Sequence, residues 1–147
     1  MTDSVTINGK FTITNNHTGA VRTVQNIVTD GGLANISALL AGSGGGVYAW
    51  VALGSSTTAV SASDTSLGTE TFRTAVTEIT AAAGVCTAVF DLLLTEAVGD
   101  FEEIGVFVGG TSAADSGTLV SHALLDFSKT ADEELFITYD FTIARAI

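Results

Sequence analysis

The chain has 147 residues and a mean hydropathy of +0.46, which fits one domain, here taken as residues 1–147, with a core large enough to need neither disulfides nor metal. Sixteen Asp and Glu against five Lys and Arg give a net charge of −11, and such a surface repels phosphate backbones and anionic lipids, so nucleic-acid binding is excluded from the expected functions. No apolar run approaches the roughly 20 residues of a membrane-spanning helix, and a single cysteine, Cys86, rules out an internal disulfide.

The opening MTDSVTINGK has no basic segment followed by an apolar one, so the expectation is synthesis in a cytoplasm without an export signal. Val5, Ile7, Phe11 and Ile13 alternate with polar residues, the period of a strand with one wet face. NNHTG (15–19) supplies turn chemistry, and AVRTVQNIV, from residue 20, reads as one antiparallel partner strand. In the next stretch Leu33, Ile36, Leu39 and Leu40 recur at helical spacing, with Thr29 or Asp30 to cap the start and Gly42 to end it. One short helix is predicted near residues 32–41. The GSGGG that follows lacks the Lys-Ser/Thr ending and the trailing helix of a phosphate loop, so it reads as a connector.

VYAWVALG (47–54) reads as a central strand covered on both faces. A Ser-, Thr- and Ala-rich loop separates it from a strand containing Phe72 and Val76. Further strands are predicted in GVCTAVFDLLLTE, IGVFVGG, GTLVSHALLDFS and LFITYDFTI, the last with the clearest alternation in the chain. Many short strands, one helix and frequent turns without proline predict a mainly β, antiparallel β-sandwich or barrel-like fold.

Catalytic equipment is hard to find. His17 and His122 are isolated from each other and from residues at metal-ligand spacing, and Cys86 lies in an apolar segment that suits a buried hydrophobe. The expectation is a non-enzyme with no cofactor and no metal site. The acidic segment EAVGDFEEIG, with Glu96, Asp100, Glu102 and Glu103, offers calcium-type ligands or a carboxylate pair, but its spacing departs from the helix-loop-helix calcium loop and it reads as a solvated hairpin tip. Arg73, beside Phe72, must be paired if it points inward, with Glu70 or Glu103 as partner. Tyr48, Trp50 and Tyr139 are the aromatics a sugar-binding sandwich would use, although Trp50 sits where burial is expected.

The order of NIVTDGGLANISALLAG, YAWVALGSSTTAVSASDTSLGTETFR, FEEIGVFVGG and GTLVSHALLDFSKTADEELFITYDFTI resembles the small β-rich structural proteins of tailed viruses, especially the module at the start of phage tail-collar fibre proteins. The corresponding residues are Gly54, Asp64, Leu67, Glu70 and Arg73, followed by Glu103, Gly105 and Phe107. The sequence ends just after this module, so neither shaft nor receptor-binding tip is expected. The resemblance implies a virion structural protein made in the host cytoplasm, with a capsid-decoration role as the first expectation and a tail fibre, collar or baseplate role as the second. Its implied partners are copies of itself, as a trimer or higher ring, and major capsid or tail proteins. The loop after Gly54, with Ser55, Ser56, Thr57, Thr58 and Asp64, is then expected to be an arm that docks on a neighbouring subunit.

Overall fold

The computed structural model describes residues 3–146. Its elements are β1 (Val5–Asn15), β2 (Val21–Gln25), β3 (Ile27–Val28), α1 (Asp30–Ala41), β4 (Tyr48–Gly54), β5 (Glu70–Ala75), β6 (Glu78–Ala82), β7 (Val85–Leu92), β8 (Gly99–Val108), β9 (Thr118–Lys129) and β10 (Leu135–Arg145). They form two five-stranded sheets, ordered β2-β1-β10-β7-β6 and β3-β9-β8-β4-β5, with every pairing antiparallel. The chain is therefore a β-sandwich with one short helix, and its sheets are not closed into a barrel. No helix among the described residues is long and apolar enough to cross a membrane.

Alternation builds the core. Leu135, Ile137, Tyr139 and Phe141 of β10 are buried, and the residues between them are half-exposed. β1 pairs with β10 without a break from Val5↔Arg145 to Asn15↔Leu135, which brings Phe11 against Tyr139. From the facing sheet come Val51, Leu53, Ile104 and Val106. The buried hydroxyl of Tyr139 is hydrogen-bonded to that of Ser121 across the sandwich, as a buried polar group requires.

The segment expected as a single strand from residue 20 is divided between the sheets. Val21–Gln25 pairs with β1, whereas Ile27 and Val28 lie beside His122 and Ser121 of β9. Asn26 makes the crossing over Gly9, where a Cβ would lie only 2.3 Å from the Asn26 Oδ1 atom. The chain then enters α1, which Gly32 seats on β9: a Cβ there would stand 2.5 Å from the Val120 carbonyl oxygen.

Thr29 begins the helix while fully buried. Its hydroxyl accepts the Gly32 N–H at 3.0 Å and donates to the Leu119 carbonyl. Gly42, at φ 63°, ends the helix in the left-handed conformation that glycine adopts without strain. Thr29→Ala removes a cap and leaves a buried N–H unpaired, so it is expected to cost about 1–2 kcal/mol. A lower urea midpoint at unchanged slope is the corresponding observation.

The acidic segment is not a hairpin tip. Asp100, Glu102 and Glu103 belong to β8, and the turn is formed by residues 93–98, where Glu96 accepts the Leu93 N–H and Lys129 donates to the carbonyls of Leu93 and Leu94. A bulge between Phe101 and Glu103 resets the alternation of β8, and Glu103 is fully buried.

Candidate functional site

β4 has an apolar side chain on both faces. Val51 and Leu53 enter the main core, while Trp50 and Ala52 point to the outer face of their sheet, joined there by Leu67, Phe107 and Leu119 in a second, smaller cluster. This outer face is covered by the loop 55–69. Gly105 makes room for it: a Cβ at that position would lie 2.6 Å from Leu67 Cδ1 and 2.8 Å from Leu119 Cδ1. Leu67 thus fills a trough floored by Gly105 and Ala52 and holds one end of the loop on the sheet.

The rest of the loop is held by one carboxylate. Glu103 Oε2 accepts the N–H groups of Ser56 (3.0 Å) and Thr69 (2.8 Å), and Oε1 accepts the Gly68 N–H (2.8 Å) and faces His122 Nε2 (2.9 Å). Burial alone would raise the Glu103 pKa, but the donors from Thr69, Gly68, His122 and Ser56 outweigh it and hold the group below its ordinary value. On its other side His122 Nδ1 meets Asp64 Oδ2 at 2.9 Å, and Asp64 also accepts the Ser61 N–H. Both ring contacts are hydrogen bonds to ionised carboxylates only while the imidazole carries both protons. A further bond, from Asp30 N–H to the Ala62 carbonyl, ties the loop to the start of α1.

Arg73 lies farther along the same face. Its Nε and one terminal nitrogen engage both oxygens of Glu70, at 2.7 and 2.8 Å, with the two side chains only 3% and 2% exposed. The other terminal nitrogen donates to the carbonyls of Thr111 and Ser116 and to the Ser116 hydroxyl. The guanidinium lies over the Phe107 ring, 4.6 Å from its centroid. Of the two partners considered for Arg73, Glu70 is the one in contact. Glu103 belongs to the neighbouring His122 cluster.

The loop is consequently not a free arm. Gly54 is a buried strand residue, Ser56 and Asp64 are committed to Glu103 and His122, and only Ser55, Thr57 and Thr58 of the expected docking residues are exposed. Gly54 is also a point of close approach, since a Cβ there would stand 2.3 Å from the Thr69 carbonyl oxygen and 2.6 Å from Glu103 Oε2. Gly54→Ala is expected to push the loop off Glu103 at a cost of roughly 1–3 kcal/mol, visible as faster hydrogen exchange at Ser56, Gly68 and Thr69.

This arrangement fastens the loop 55–69 to the outer face of its sheet. Both His122 nitrogens are occupied by carboxylates, which leaves neither to activate a nucleophile. Burial raises the Cys86 thiol pKa, the opposite of what a reactive thiolate needs. The described residues contain no group of three or more His, Cys, Asp and Glu side chains placed to hold a metal ion. Tyr139 is fully buried with Tyr48 edge-on against it, and Trp50 is on the opposite face of the sheet, so the three aromatics form no common sugar-stacking platform.

Sequence reasoning missed two participants. His122 reads as an isolated histidine, and Ser116 as one of many loop serines. The usable signal for His122 is its place among the apolar residues Leu119, Val120, Ala123 and Leu125 of β9, where a ring with two polar nitrogens requires partners. Comparison with known proteins finds no family model, no curated protein and no solved structure that matches this chain.

Proposed function

We propose that this chain is a non-enzymatic structural protein of a tailed-virus particle, acting on the capsid surface as a decoration protein and assembling through contacts between copies and with the capsid lattice. The observation that carries this reading is the convergence of the residues on which the resemblance rests. Gly54, Asp64, Leu67, Glu70, Arg73, Glu103, Gly105 and Phe107 are dispersed over more than fifty positions in the sequence, yet all serve to fasten two loops to one sheet face. A motif set that shapes a surface is what a binding scaffold requires, whereas an enzyme would gather proton donors and acceptors around a space for substrate.

The physics of the loop favours docking. Ser55, Thr57, Thr58, Ala59, Ser61 and Thr65 are exposed and short, so they lose little rotamer freedom when covered. The loop that carries them is already pinned to Glu103 through the N–H groups of Ser56, Gly68 and Thr69, which reduces the ordering cost of association. The net charge of −11 opposes non-specific clumping of particles carrying many copies.

A tail fibre, collar or baseplate role is the second reading, favoured by the likeness of the motif order to the tail-collar module. Antibodies against the purified chain, applied to virus particles from the source culture and viewed by immunogold electron microscopy, separate the two. Gold over heads is expected. Gold confined to tails selects the second reading, and particle fractions without the chain by labelling and by mass spectrometry overturn both.

A further inference from the structure

We propose that two copies of this chain associate through the β6 edge of the first sheet, with β6 pairing antiparallel to β6 of a second copy about a two-fold axis at Thr80, and that the same contact covers the apolar groove beside this edge. The inference concerns the chain itself and does not depend on the particle to which it belongs.

Among the described residues β6 is paired only with β7, and all five of its residues are exposed. One row of its backbone N–H and C=O groups therefore lacks a strand partner. Edges left in water usually carry lysine, proline or an inward charge that blocks further pairing. Here the sequence is Glu-Ile-Thr-Ala-Ala, with its one charge at the end. Antiparallel pairing centred on Thr80 sets Glu78 opposite Ala82 and Ile79 opposite Ala81 of the second copy. Like charges do not meet, and each larger side chain faces a small one.

Ile79 and Ala81 share the face of their pairing partners Ala88 and Cys86, the inner face of the sheet. There the sandwich opens into a groove of about 290 Å³ whose lining includes Ile36, Leu39, Tyr48, Ile79, Cys86 and Phe141. Leu40 is 85% exposed and Val47 69% exposed at its rim.

Charge selects the occupant. The stretches 31–47 and 79–90, which supply most of the groove and its rim, contain no charged residue in a chain of net charge −11. A basic partner would be drawn to the carboxylates elsewhere. Two copies of the same acidic chain repel wherever carboxylates oppose each other, and an edge whose one carboxylate, Glu78, faces Ala82 of the second copy avoids that penalty for both at once. An isologous contact also satisfies one strand edge with an identical one. By itself it gives a dimer. Combined with a ring-forming contact elsewhere on the surface, it gives a dihedral assembly.

Sedimentation equilibrium of the full chain, from micromolar to millimolar concentration, tests the proposal. The expected result is a reversible dimer. Ala81→Lys and Leu40→Glu, both at exposed positions, should each weaken its dissociation constant by at least roughly tenfold while leaving the circular dichroism and melting temperature of the monomer unchanged. A wild-type chain that stays monomeric throughout overturns the proposal, as does a dimer indifferent to both substitutions.

Discussion

Replacing Glu103 with alanine is expected to lower the unfolding free energy by about 3–5 kcal/mol and the melting temperature by roughly 10–16 °C for a domain of this size. The loss is large because one carboxylate satisfies four donors. Without it the N–H groups of Ser56, Gly68 and Thr69 and the His122 Nε2 atom lose their acceptor beneath the loop, and each buried donor left unpaired carries its own desolvation penalty. Glu103→Gln tests whether charge or shape matters. The amide keeps the volume, but its nitrogen must replace one oxygen and face donors, so a cost of about 1–3 kcal/mol is expected. Urea unfolding at neutral pH distinguishes the two variants, and an alanine variant as stable as wild type would refute the anchoring role.

The same contacts fix a pH dependence. The Glu103 carboxyl is held below its ordinary value of 4.5 in the folded chain, so the folded state binds its proton less readily than the unfolded state. Its contribution is therefore fully present above that ordinary value and is lost as pH falls through the lower, folded-state value. The stability gap between wild type and Glu103→Gln should stay constant from neutral pH down to about 4.5 and shrink below it. A gap that widens in acid would mean that burial outweighs the hydrogen bonds.

Strands were the most legible part of the sequence because a single physical period reports them. In β10 every second residue is apolar from Leu135 to Ile143, and that alternation suffices to place both faces. The helix was legible from the spacing of Leu33, Ile36, Leu39 and Leu40 and from its ends, where Gly42 is the C-cap and, of Thr29 and Asp30, Thr29 is the N-cap. The sheet switch at Asn26 was invisible, since alternation continues through Val24 and Val28 whichever sheet the chain joins. Glu103 was hidden in the same way: in alternation with the core residues Ile104 and Val106 it falls on the outer face of β8, which reads as wet until the loop 55–69 covers it. Composition identified the loop 55–69 as small and polar, but not that it lies back on its own sheet. That fact depends on Leu67 meeting Gly105, nearly forty residues away, and on Glu103 meeting three backbone N–H groups of the loop.

Arg73→Ala is expected to cost about 3–5 kcal/mol, and to do so through a second loop. The side chain is wedged between Glu70 and the carbonyls of Thr111 and Ser116, over Phe107, so its removal leaves a buried carboxylate without a cation and the 109–117 loop without its tie. Lysine is no substitute. It offers a point charge where the site presents a fork on one side and carbonyl oxygens on the other, and Arg73→Lys should still cost about 1–3 kcal/mol. The revealing variant is the double replacement Glu70→Leu with Arg73→Met. A buried ion pair gains its Coulomb energy only after a desolvation cost of similar size, so exchanging both partners for apolar side chains of like volume should be far milder than removing either one. The four proteins of this cycle, unfolded in urea, are expected to give a coupling energy of at least about 1–3 kcal/mol. Equal additivity would mean that the pair stabilises nothing jointly. A strong coupling with loss of exchange protection in the 109–117 loop would mean that the pair sets where that loop sits, and hence the shape of the face that loop shares with residues 55–69.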